Sequence, residues 1–479
     1  MIEFVKAVKA GIKSFSYHAV NDKGKRTAPR TRIKTEDKML EKKKRDVLSA
    51  TLHDAQRNMA LLAWMIRKHL DYVTSFNFQV KTGDKEKDKF IEKKFNNWAK
   101  KDNCDIGRRH PLSRLMRLFE AIKTLDGDAA FIKINTEDVP KLQGVEGNRI
   151  AKPGNYDDDN RPATDIINSI SPHGLILDEN GAVDYYAINK RVDDKLVFEG
   201  LFSYIDIIFD GYFTRFDQTR GVSPLCSGYN TIADLYESFD YTMIKTKMHA
   251  MFGVVISSDG DTPSGMNEYD AEDGEAPDAD TEKYKFDADG PFKLELESGD
   301  KAELLESKTP STEFKEFSKL MMAVGMLVLD FPFSYFDASE TNYSSMKAAR
   351  GDYYKSAESK IKANIDVLNN ITDWVLGWMY ENGEITDNPE NFEYEWISTG
   401  IPWIDENKEA VAAALRVASG FSSRQIECKK RGLDFHDVVQ QLADEQRISK
   451  EVGASIMIGQ PGQVSIEEVE NQGDITNGQ

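Results

Sequence analysis

Closely spaced carboxylates are the residues of this sequence best suited to chemistry, because carboxylate oxygens bind divalent cations. Three consecutive aspartates, Asp157–Asp159, stand in the polar stretch NYDDDNRP, and the pair Asp259 and Asp261 begins like a calcium-binding loop. In that second stretch Pro263 occupies the fifth position and Ser264 replaces the required glycine, which disfavours calcium. The aspartate triplet offers one enzyme hypothesis, a metal-dependent nuclease, but a solvated turn is the favoured interpretation.

The usual signatures of an enzymatic site are missing from the sequence. It contains no GxxxxGK[ST] phosphate-binding loop and no HExxH zinc motif. Its seven histidines never pair at metal-ligand spacing, and its three cysteines form no CxxC. We therefore predict a protein that is not an enzyme, with no catalytic residue, no metal and no cofactor.

The composition predicts an acidic protein that does not enter a membrane. Charged residues make up 30% and apolar residues 40% of the 479 residues, and the net charge is −19. No run of about 18 apolar residues occurs, so no transmembrane helix is predicted. This charge argues against a broad basic surface that grips nucleic acid, but it permits a protein that surrounds DNA without gripping it.

The first half of the chain is predicted to be a basic arm followed by an α+β domain. Residues 1–44 form the arm, which either is solvated or contacts nucleic acid or an acidic partner. Apolar residues spaced by three and four predict one long amphipathic helix from Thr35 to about Val73. The α+β domain is predicted over 45–222, with helices near 87–100 and 111–124 and strands near 129–134, 175–177, 183–188 and 196–198.

The second half is predicted to be mainly helical. Ser223 with Pro224, and Thr309 with Pro310, are capping pairs that begin helices over 223–256 and 310–330. Between them, 257–309 is predicted to be an acidic module that includes the strand Phe292–Ser298. Further helices are expected from Ser344 onward, at 406–419, after a cap at Ser422 and after a cap at Asp434.

The stretch FPFSYF, residues 331–336, places four aromatic side chains within six residues ahead of the polar run NYSS. Asn342 and the two serines suit a helix start, because their side chains satisfy unpaired backbone amides. Two interpretations of the aromatic residues stay open. They either pack between subunits around a channel or anchor the loop to their own subunit.

The helices over 223–256 and 310–330 have apolar stripes that a single pair cannot bury. A closed ring of identical subunits provides the missing contacts through a head-to-tail interface. The predicted inter-subunit residues of these two helices are Leu235, Phe239, Met243, Phe317, Met321 and Val324.

Several motifs, in order, resemble those of the lambda-type family of tailed-phage portal proteins. The stretch Thr214–Leu225 is similar to the family's RxxQxRGxSxL element, with Asp217 where a glycine is usual. Residues 342–345 match its NYSSxR element, except that Lys347 replaces the arginine. Weaker similarities are the RxxL element from Arg45 to Asn58, LDGD at 125–128 and IDENKEAVA at 404–412.

The resemblance implies a mainly α portal fold with an α+β wing, assembled as a hollow ring of twelve subunits at one capsid vertex. Double-stranded DNA passes such a ring during packaging and ejection, without sequence specificity. The implied partners are the terminase large subunit, a head–tail adaptor, and the major capsid and scaffold proteins. The implied location is the virion, which is assembled in the host cytoplasm. The implied parts are the wing (45–222), stem helices (223–256 and 310–330), clip (257–309), tunnel loop region (331–345), channel-side helix with its return to the wing (346–403), crown (404–450) and flexible tail (451–479).

Two further groups of site residues are predicted on this basis. The DNA-facing candidates near the tunnel loop are Phe333, Tyr335, Phe336, Lys347 and Arg350. The candidates for docking the packaging motor are the acidic clip residues Asp270, Glu272, Asp273 and Glu275. Besides the nuclease, a ring scaffold or adaptor through which no DNA passes is the alternative hypothesis.

Overall fold

The computed structural model describes residues 34–156, 161–193, 195–251, 254–258, 300–304, 311–339, 341–399 and 406–453. The chain divides into two compact units, Met1–Ile232 with Met322–Gln479, and Ala233–Met321. Most of the predicted basic arm, the aspartate triplet, most of the acidic module and the predicted tail beyond 453 lie outside the described residues.

The N-terminal helical segment is broken, and the prediction of one long helix from Thr35 to Val73 was wrong. The structure has three helices there: α1 (Glu36–Met39), α2 (Lys42–Asn58) and α3 (Ala60–Val73). The backbone of Met59 is extended, with φ −109° and ψ 104°, although no proline or glycine is present. The break lets α2 pack on the later helix at 112–126 while α3 also reaches the helix that begins at residue 343. Tertiary packing thus interrupts a stripe that is continuous in sequence.

The α+β region of the first unit contains three small antiparallel sheets. The predicted strands are confirmed, whereas the strands at 76–81, 141–146 and 207–211 were missed. Its helices are α4 (Lys85–Trp98), α5 (Lys101–Cys104), α6 (Leu112–Asp126) and α7 (Thr164–Ser169). Its strands are β1 (Phe76–Lys81), β2 (Asp128–Ile134), β3 (Lys141–Glu146), β4 (Leu175–Leu177), β5 (Val183–Val192), β6 (Lys195–Ser203) and β7 (Ile207–Gly211). Strand orders are β3-β2-β7 and β4-β5-β6, while β1 pairs with a strand near the end of the chain.

The described residues of the second unit belong to two helices and two strands. These are α8 (Tyr229–Met251), β8 (Val254–Ser258), β9 (Asp300–Leu304) and α9 (Thr312–Met326), with β8 and β9 antiparallel. The helix predicted over 223–256 was wrong at its end, because the residues from Val254 onward form β8. The Ser223 hydroxyl accepts from the Leu225 amide as predicted, but it begins a 3-10 turn, Pro224–Ser227, ahead of α8. At α9 the Ser311 hydroxyl accepts from the Phe314 amide. The predicted cap at Thr309 and the predicted strand Phe292–Ser298 lie outside the described residues.

The remaining described residues of the first unit include a long helix, a strand and three shorter α-helices. They are α10 (Tyr343–Glu381), β10 (Glu393–Ser398), α11 (Glu406–Ala418), α12 (Arg424–Lys430) and α13 (Phe435–Val452). Asn342 caps α10 and Asp434 caps α13, as predicted. The cap predicted at Ser422 was wrong by one residue, because the Ser423 hydroxyl accepts from the Ile426 amide.

The main core of the first unit lies where α4, α6 and α10 cover β1 and β2. Phe119 on α6 stacks on Phe131 of β2 with ring centroids 4.8 Å apart. Helix α10 contributes Leu368, Ile371 and Val375, all of them buried. None of the helices in the described residues is both long and apolar enough to cross a membrane. The predicted mainly helical architecture with an α+β region is confirmed.

Candidate functional site

The motif residues that are far apart in sequence meet in one buried cluster in the first unit. Arg220 lies against Asp128 in a bidentate ion pair, with Nε–Oδ2 and Nη2–Oδ1 distances of 2.7 Å. Both side chains are fully buried. Arg45 of α2 reaches the same place, where its Nη1 donates to the Gly221 carbonyl at 2.7 Å. Three motifs therefore form a single site, which we call the Arg220–Asp128 clamp. They are the LDGD segment, the RxxL element and the RxxQxRGxSxL element.

Arg220 uses all its hydrogen-bonding capacity inside the protein. A guanidinium has five N–H groups. Two donate to Asp128, and the others donate to the carbonyls of Gly147, Ile150 and His173. Because no N–H group is left over, this arginine has no donor to offer a phosphate or a substrate. The clamp is an internal support that fixes the segment immediately before the 3-10 turn and α8.

Backbone contacts within the clamp explain two of the motif glycines. Gly127 ends α6 with φ +99°, and a Cβ there would lie 2.6 Å from the Gly221 carbonyl carbon. A Cβ on Gly221 would lie 2.0 Å from the Gly127 carbonyl oxygen. Neither position has room for a side chain. The Gly221 amide also donates to the Asp128 carboxylate at 2.8 Å, so the chain must approach this closely for the clamp to close.

Burial also affects Arg45, the outermost basic group of the clamp. Together with the neighbouring positive charge of Arg220, it lowers the pKa of Arg45 to about 10. Arg45 directly follows the predicted basic arm, for which the sequence left open a solvated segment or a contact with nucleic acid or an acidic partner. The Arg45 side chain does neither, because it is buried and faces Asp128 of the same chain.

A second buried polar network was missed from the sequence. Glu120 and Lys123, three residues apart on α6, form an ion pair of 2.6 Å, and Lys123 also contacts Asp210 at 2.8 Å. His69 of α3 lies 2.9 Å from Glu120, and Tyr212 donates to Glu120 at 2.7 Å. The i, i+3 spacing of opposite charges on an otherwise apolar face was the available signal.

The charges of this second network follow from its geometry. Burial alone raises the pKa of Glu120, but the Lys123 ammonium and the His69 hydrogen bond outweigh it and hold that pKa well below its usual value. Burial lowers the pKa of His69 despite its acidic neighbour. A neutral His69 therefore donates from Nε2 to the ionised Glu120, which can only accept. The network ties α3, α6 and the end of β7 together.

The aromatic stretch 331–336 packs largely against its own chain. The Phe331 side chain is 0% exposed and stacks on Tyr353 with centroids 4.7 Å apart. Phe331 and Phe336 both contact Trp64 of α3. Tyr335 also packs on Tyr353, at 5.3 Å. Of the two interpretations left open, anchoring to the same subunit describes Phe331 and Tyr335, while the Phe336 side chain is 50% exposed.

The two basic DNA-facing candidates differ in their surroundings. Lys347 forms an ion pair of 2.5 Å with Glu409 of α11, so its charge is already opposed within the chain. Arg350 is half-buried beside the tyrosines of the aromatic cluster. Phe333 is also half-buried and contacts Phe336 at 5.8 Å. The acidic clip candidates Asp270, Glu272, Asp273 and Glu275 lie outside the described residues.

The predicted inter-subunit residues of α8 and α9 fall into two groups. Met243, Phe317 and Val324 are 53%, 51% and 45% exposed, and they stay candidates for contact with another subunit. Leu235 corrects the prediction, because it is 1% exposed and already packs within the chain. Phe239 contacts Phe314 of α9 at 6.0 Å, and Met321 is half-buried.

Helix α9 carries an exposed apolar stripe that the sequence located only in part. Phe317, Leu320 and Val324 recur at steps of three and four, and Leu327 continues the same spacing just beyond the helix. The sequence analysis named Phe317 and Val324 of this stripe, but it named Met321 instead of Leu320 and did not include Leu327. Exposed apolar side chains aligned along one helix are typical of surfaces that contact other proteins, membranes or ligands. No group of three metal-binding side chains occurs in the part of the chain that the structure describes.

Comparison with known proteins agrees with the motifs of the clamp. A family model described as "Phage portal protein, lambda family" matches residues 23–359. The "Probable portal protein" of Halomonas phage phiHAP-1 is 25% identical over 408 residues, covering 77% of this chain and 72% of the relative. The "Portal protein" of Escherichia phage N15 is 21% identical over 456 residues, covering 85% and 84%.

Solved structures of gene transfer agent particles are distantly similar. One is titled as the neck of an empty particle with C6 symmetry (TM-score 0.46) and another as the neck of a native particle with C12 symmetry (TM-score 0.45). Each is 14% identical and covers 80% of this chain and 93% of the compared chain. Since the family model spans well over half of the sequence, including the Arg220–Asp128 clamp, the chain belongs to the lambda family of phage portal proteins.

Proposed function

We propose that copies of this chain form a hollow ring at one capsid vertex, through which double-stranded DNA is packaged and ejected. Membership of the portal family supports this function. The observation on the chain itself that carries it is the exposed apolar stripe Phe317, Leu320, Val324 and Leu327. A solitary subunit would leave this stripe in water, whereas a head-to-tail ring covers the same surface on every copy.

The proposed parts keep the family's order along the chain. The wing is 45–222, and the stem comprises α8 and α9. The clip (257–309) docks the terminase large subunit and later a head–tail adaptor, while the loop region 331–345 borders the channel, with α10 behind it. The crown is 404–450, and the ring is a non-enzymatic component of the virion that contacts capsid and scaffold proteins during assembly in the host cell.

The charge of the chain suits a conduit through which DNA must move. A protein that neutralises many phosphates binds DNA tightly, because each contact releases counterions. A net charge of −19 per subunit opposes such binding. The ion pair between Lys347 and Glu409 acts in the same direction by reducing the charge available near the loop. Contacts with passing DNA are therefore weak and independent of base sequence.

The ring is tested with variants of its stem surface. Phe317→Asp and Val324→Asp place a charge in the covered stripe, so we expect each to shift the protein from a ring to the 54.2 kDa subunit in light scattering. The control is Lys315→Glu, because this residue is exposed on the same helix but outside the stripe. Circular dichroism should show unchanged helix content in all three variants.

Images of the unmodified protein distinguish the remaining hypotheses. A ring with a central hole wide enough for a duplex, in capsids that take up DNA, agrees with the proposal. A closed ring, or capsids that fill with DNA without this chain, would instead favour a scaffold or adaptor. A persistent single subunit under conditions where the capsid assembles would contradict the ring.

A further inference from the structure

A cleft in the first unit has a lining that neither the ring nor DNA passage explains. It has a volume of roughly 760 Å³ and lies between α3, α10, the end of β10 and α12. This volume is within the range of sites for small molecules. All of its lining residues belong to one chain and one unit. The cleft therefore exists before any assembly.

The cleft lining is rich in hydrogen-bond donors and positive charge. Its donors are the ammonium groups of Lys68, Lys355, Lys429 and Lys430 and the hydroxyls of Tyr72, Tyr354, Ser398 and Thr399. Two lining carboxylates, Asp71 and Glu358, oppose them. Three of the lysines also have acidic partners: Lys68 lies 3.9 Å from Asp71, Lys429 2.8 Å from Glu395 and Lys430 3.0 Å from Glu427. Each of these three carboxylates is shared with a second cation, namely Arg117, Lys81 and Arg416. The cleft therefore stays net positive on a chain with a net charge of −19, which indicates an anionic ligand.

Two donors of this lining have no internal partner. Among the described residues, no ion-pair or hydrogen-bond partner is found for the Lys355 ammonium. The Tyr354 hydroxyl is buried and also lacks a partner within that part of the chain. Burial raises the pKa of Tyr354, so this hydroxyl keeps its proton and donates. A buried donor without an acceptor is destabilising, and a ligand with acceptor oxygens removes that cost.

A glycine keeps one side of the cleft open. Gly351 lies inside α10, where glycine destabilises a helix relative to alanine. A Cβ at this position would meet no atom within 4 Å, so packing does not require glycine. Because Gly351 lines the cleft, its missing side chain leaves room for a ligand between Lys355 and Tyr72.

We propose that this cleft binds a phosphoryl-bearing polyanion, held by Lys355 and Tyr354, with the three paired lysines adding to the positive charge around it. Ammonium and neutral hydroxyl donors match the oxygens of phosphoryl groups, and charged partners shorten and strengthen such bonds. The volume accommodates more than one phosphoryl group. Either a free polyphosphate or the backbone of DNA supplies this chemistry. The proposal does not depend on the ring, because the cleft is complete in one chain.

The test is isothermal titration of the full chain at low salt, with sodium tripolyphosphate and with a short DNA duplex in separate titrations. We expect tripolyphosphate to bind, and Lys355→Gln and Tyr354→Phe each to weaken it about tenfold, as expected for a lost hydrogen bond to a charged group. The matched controls Lys362→Gln and Tyr380→Phe lie on the same helix outside the cleft and should bind normally.

Blocking the cleft provides a second test that removes no donor. Gly351→Leu should abolish binding, while Gly377→Leu, also in α10 and also with open space around its Cβ position, should not. Binding of the duplex alone, weakened by the same variants, would identify DNA as the source of the phosphoryl groups. The proposal is overturned if neither probe binds, or if Gly351→Leu and Lys355→Gln bind as tightly as the unmodified chain.

Discussion

At the scale of single residues, Arg220 and Asp128 carry the strongest argument. Each is fully buried, and all five N–H groups of the arginine are used by the chain itself. Buried ion pairs of this kind are costly to form but much costlier to break, since the remaining partner is left as an unpaired buried charge. The clamp should therefore control stability rather than DNA binding.

Arg220→Met should lower the free energy of unfolding by about 3–5 kcal/mol, because it leaves the Asp128 carboxylate buried without its main ion-pair partner. Urea denaturation measures the change. The control Arg191→Met removes an arginine from an exposed pair with Glu146 and should cost at most about 1 kcal/mol. Equal effects of the two variants would show that the clamp is not a buried support.

The Glu120 network predicts how stability responds to acid. The folded-state pKa of Glu120 is depressed, so its stabilising contribution is present above its unfolded value of 4.5 and is lost as pH falls below it. The depressed pKa of His69 acts in the same direction below 6.5, whereas the raised pKa of His53, bonded to Asp126, opposes it. Stability should thus fall most steeply below about pH 4.5.

Glu120→Gln separates this network from other acidic groups. The variant should be less stable at pH 7, because Lys123 loses a partner, and should lose less stability than the unmodified chain between pH 5 and 3. Urea denaturation across that interval provides both numbers. Parallel pH profiles for the two proteins would mean that Glu120 is not the group responsible.

At the scale of elements, the aromatic stretch 331–336 is joined to α3 and α10. Phe331 fills the space between Trp64 and Tyr353, while Phe336 covers Trp64 from a half-exposed position. A loop held by one buried ring keeps a defined position while its tip stays in reach of neighbouring molecules. This arrangement suits a segment proposed to border a channel.

Phe331→Ala should lower the free energy of unfolding by about 3–5 kcal/mol through loss of burial and creation of a cavity. Phe336→Ala is the matched control and should cost clearly less, since half of that side chain is already in water. Chemical denaturation of both variants makes the comparison. A larger loss of stability in Phe336→Ala than in Phe331→Ala would show that Phe336, not Phe331, anchors the loop.

At the scale of the whole molecule, the excess of acidic residues is the dominant property. In the proposed ring this excess would oppose tight binding of DNA along the channel, and in the proposed clip it would provide charge that steers a docking partner. Rim charges of this kind alter association rates and salt dependence more than the final affinity.

Neutralising the clip with Asp270→Asn, Glu272→Gln, Asp273→Asn and Glu275→Gln should slow association with the terminase large subunit and flatten its salt dependence. Stopped-flow or surface-based kinetics at several salt concentrations measures both. The control neutralises four exposed glutamates elsewhere: Glu179, Glu381, Glu445 and Glu451. Motor docking through the clip charge is rejected if the two quadruple variants associate alike.

Local sequence determined much of the secondary structure and the family of this chain. Capping residues such as Asn342 and Asp434 accept hydrogen bonds from amides two or three positions away. Their role can therefore be predicted from the local sequence, without knowledge of the fold. The motifs around Arg45, Asp128 and Arg220 identified the family for the same reason, as ordered residue types along the chain. The pattern also located strands β4 to β6.

Only the tertiary structure decided what those residues touch. The break at Met59 and the strands β1 and β7 depend on partners far away in sequence, which no local periodicity encodes. The same holds for the convergence of three motifs on one buried ion pair and for the donor-lined cleft beside α10. Burial and long-range electrostatics are properties of packed surfaces, and those surfaces exist only once the chain has folded.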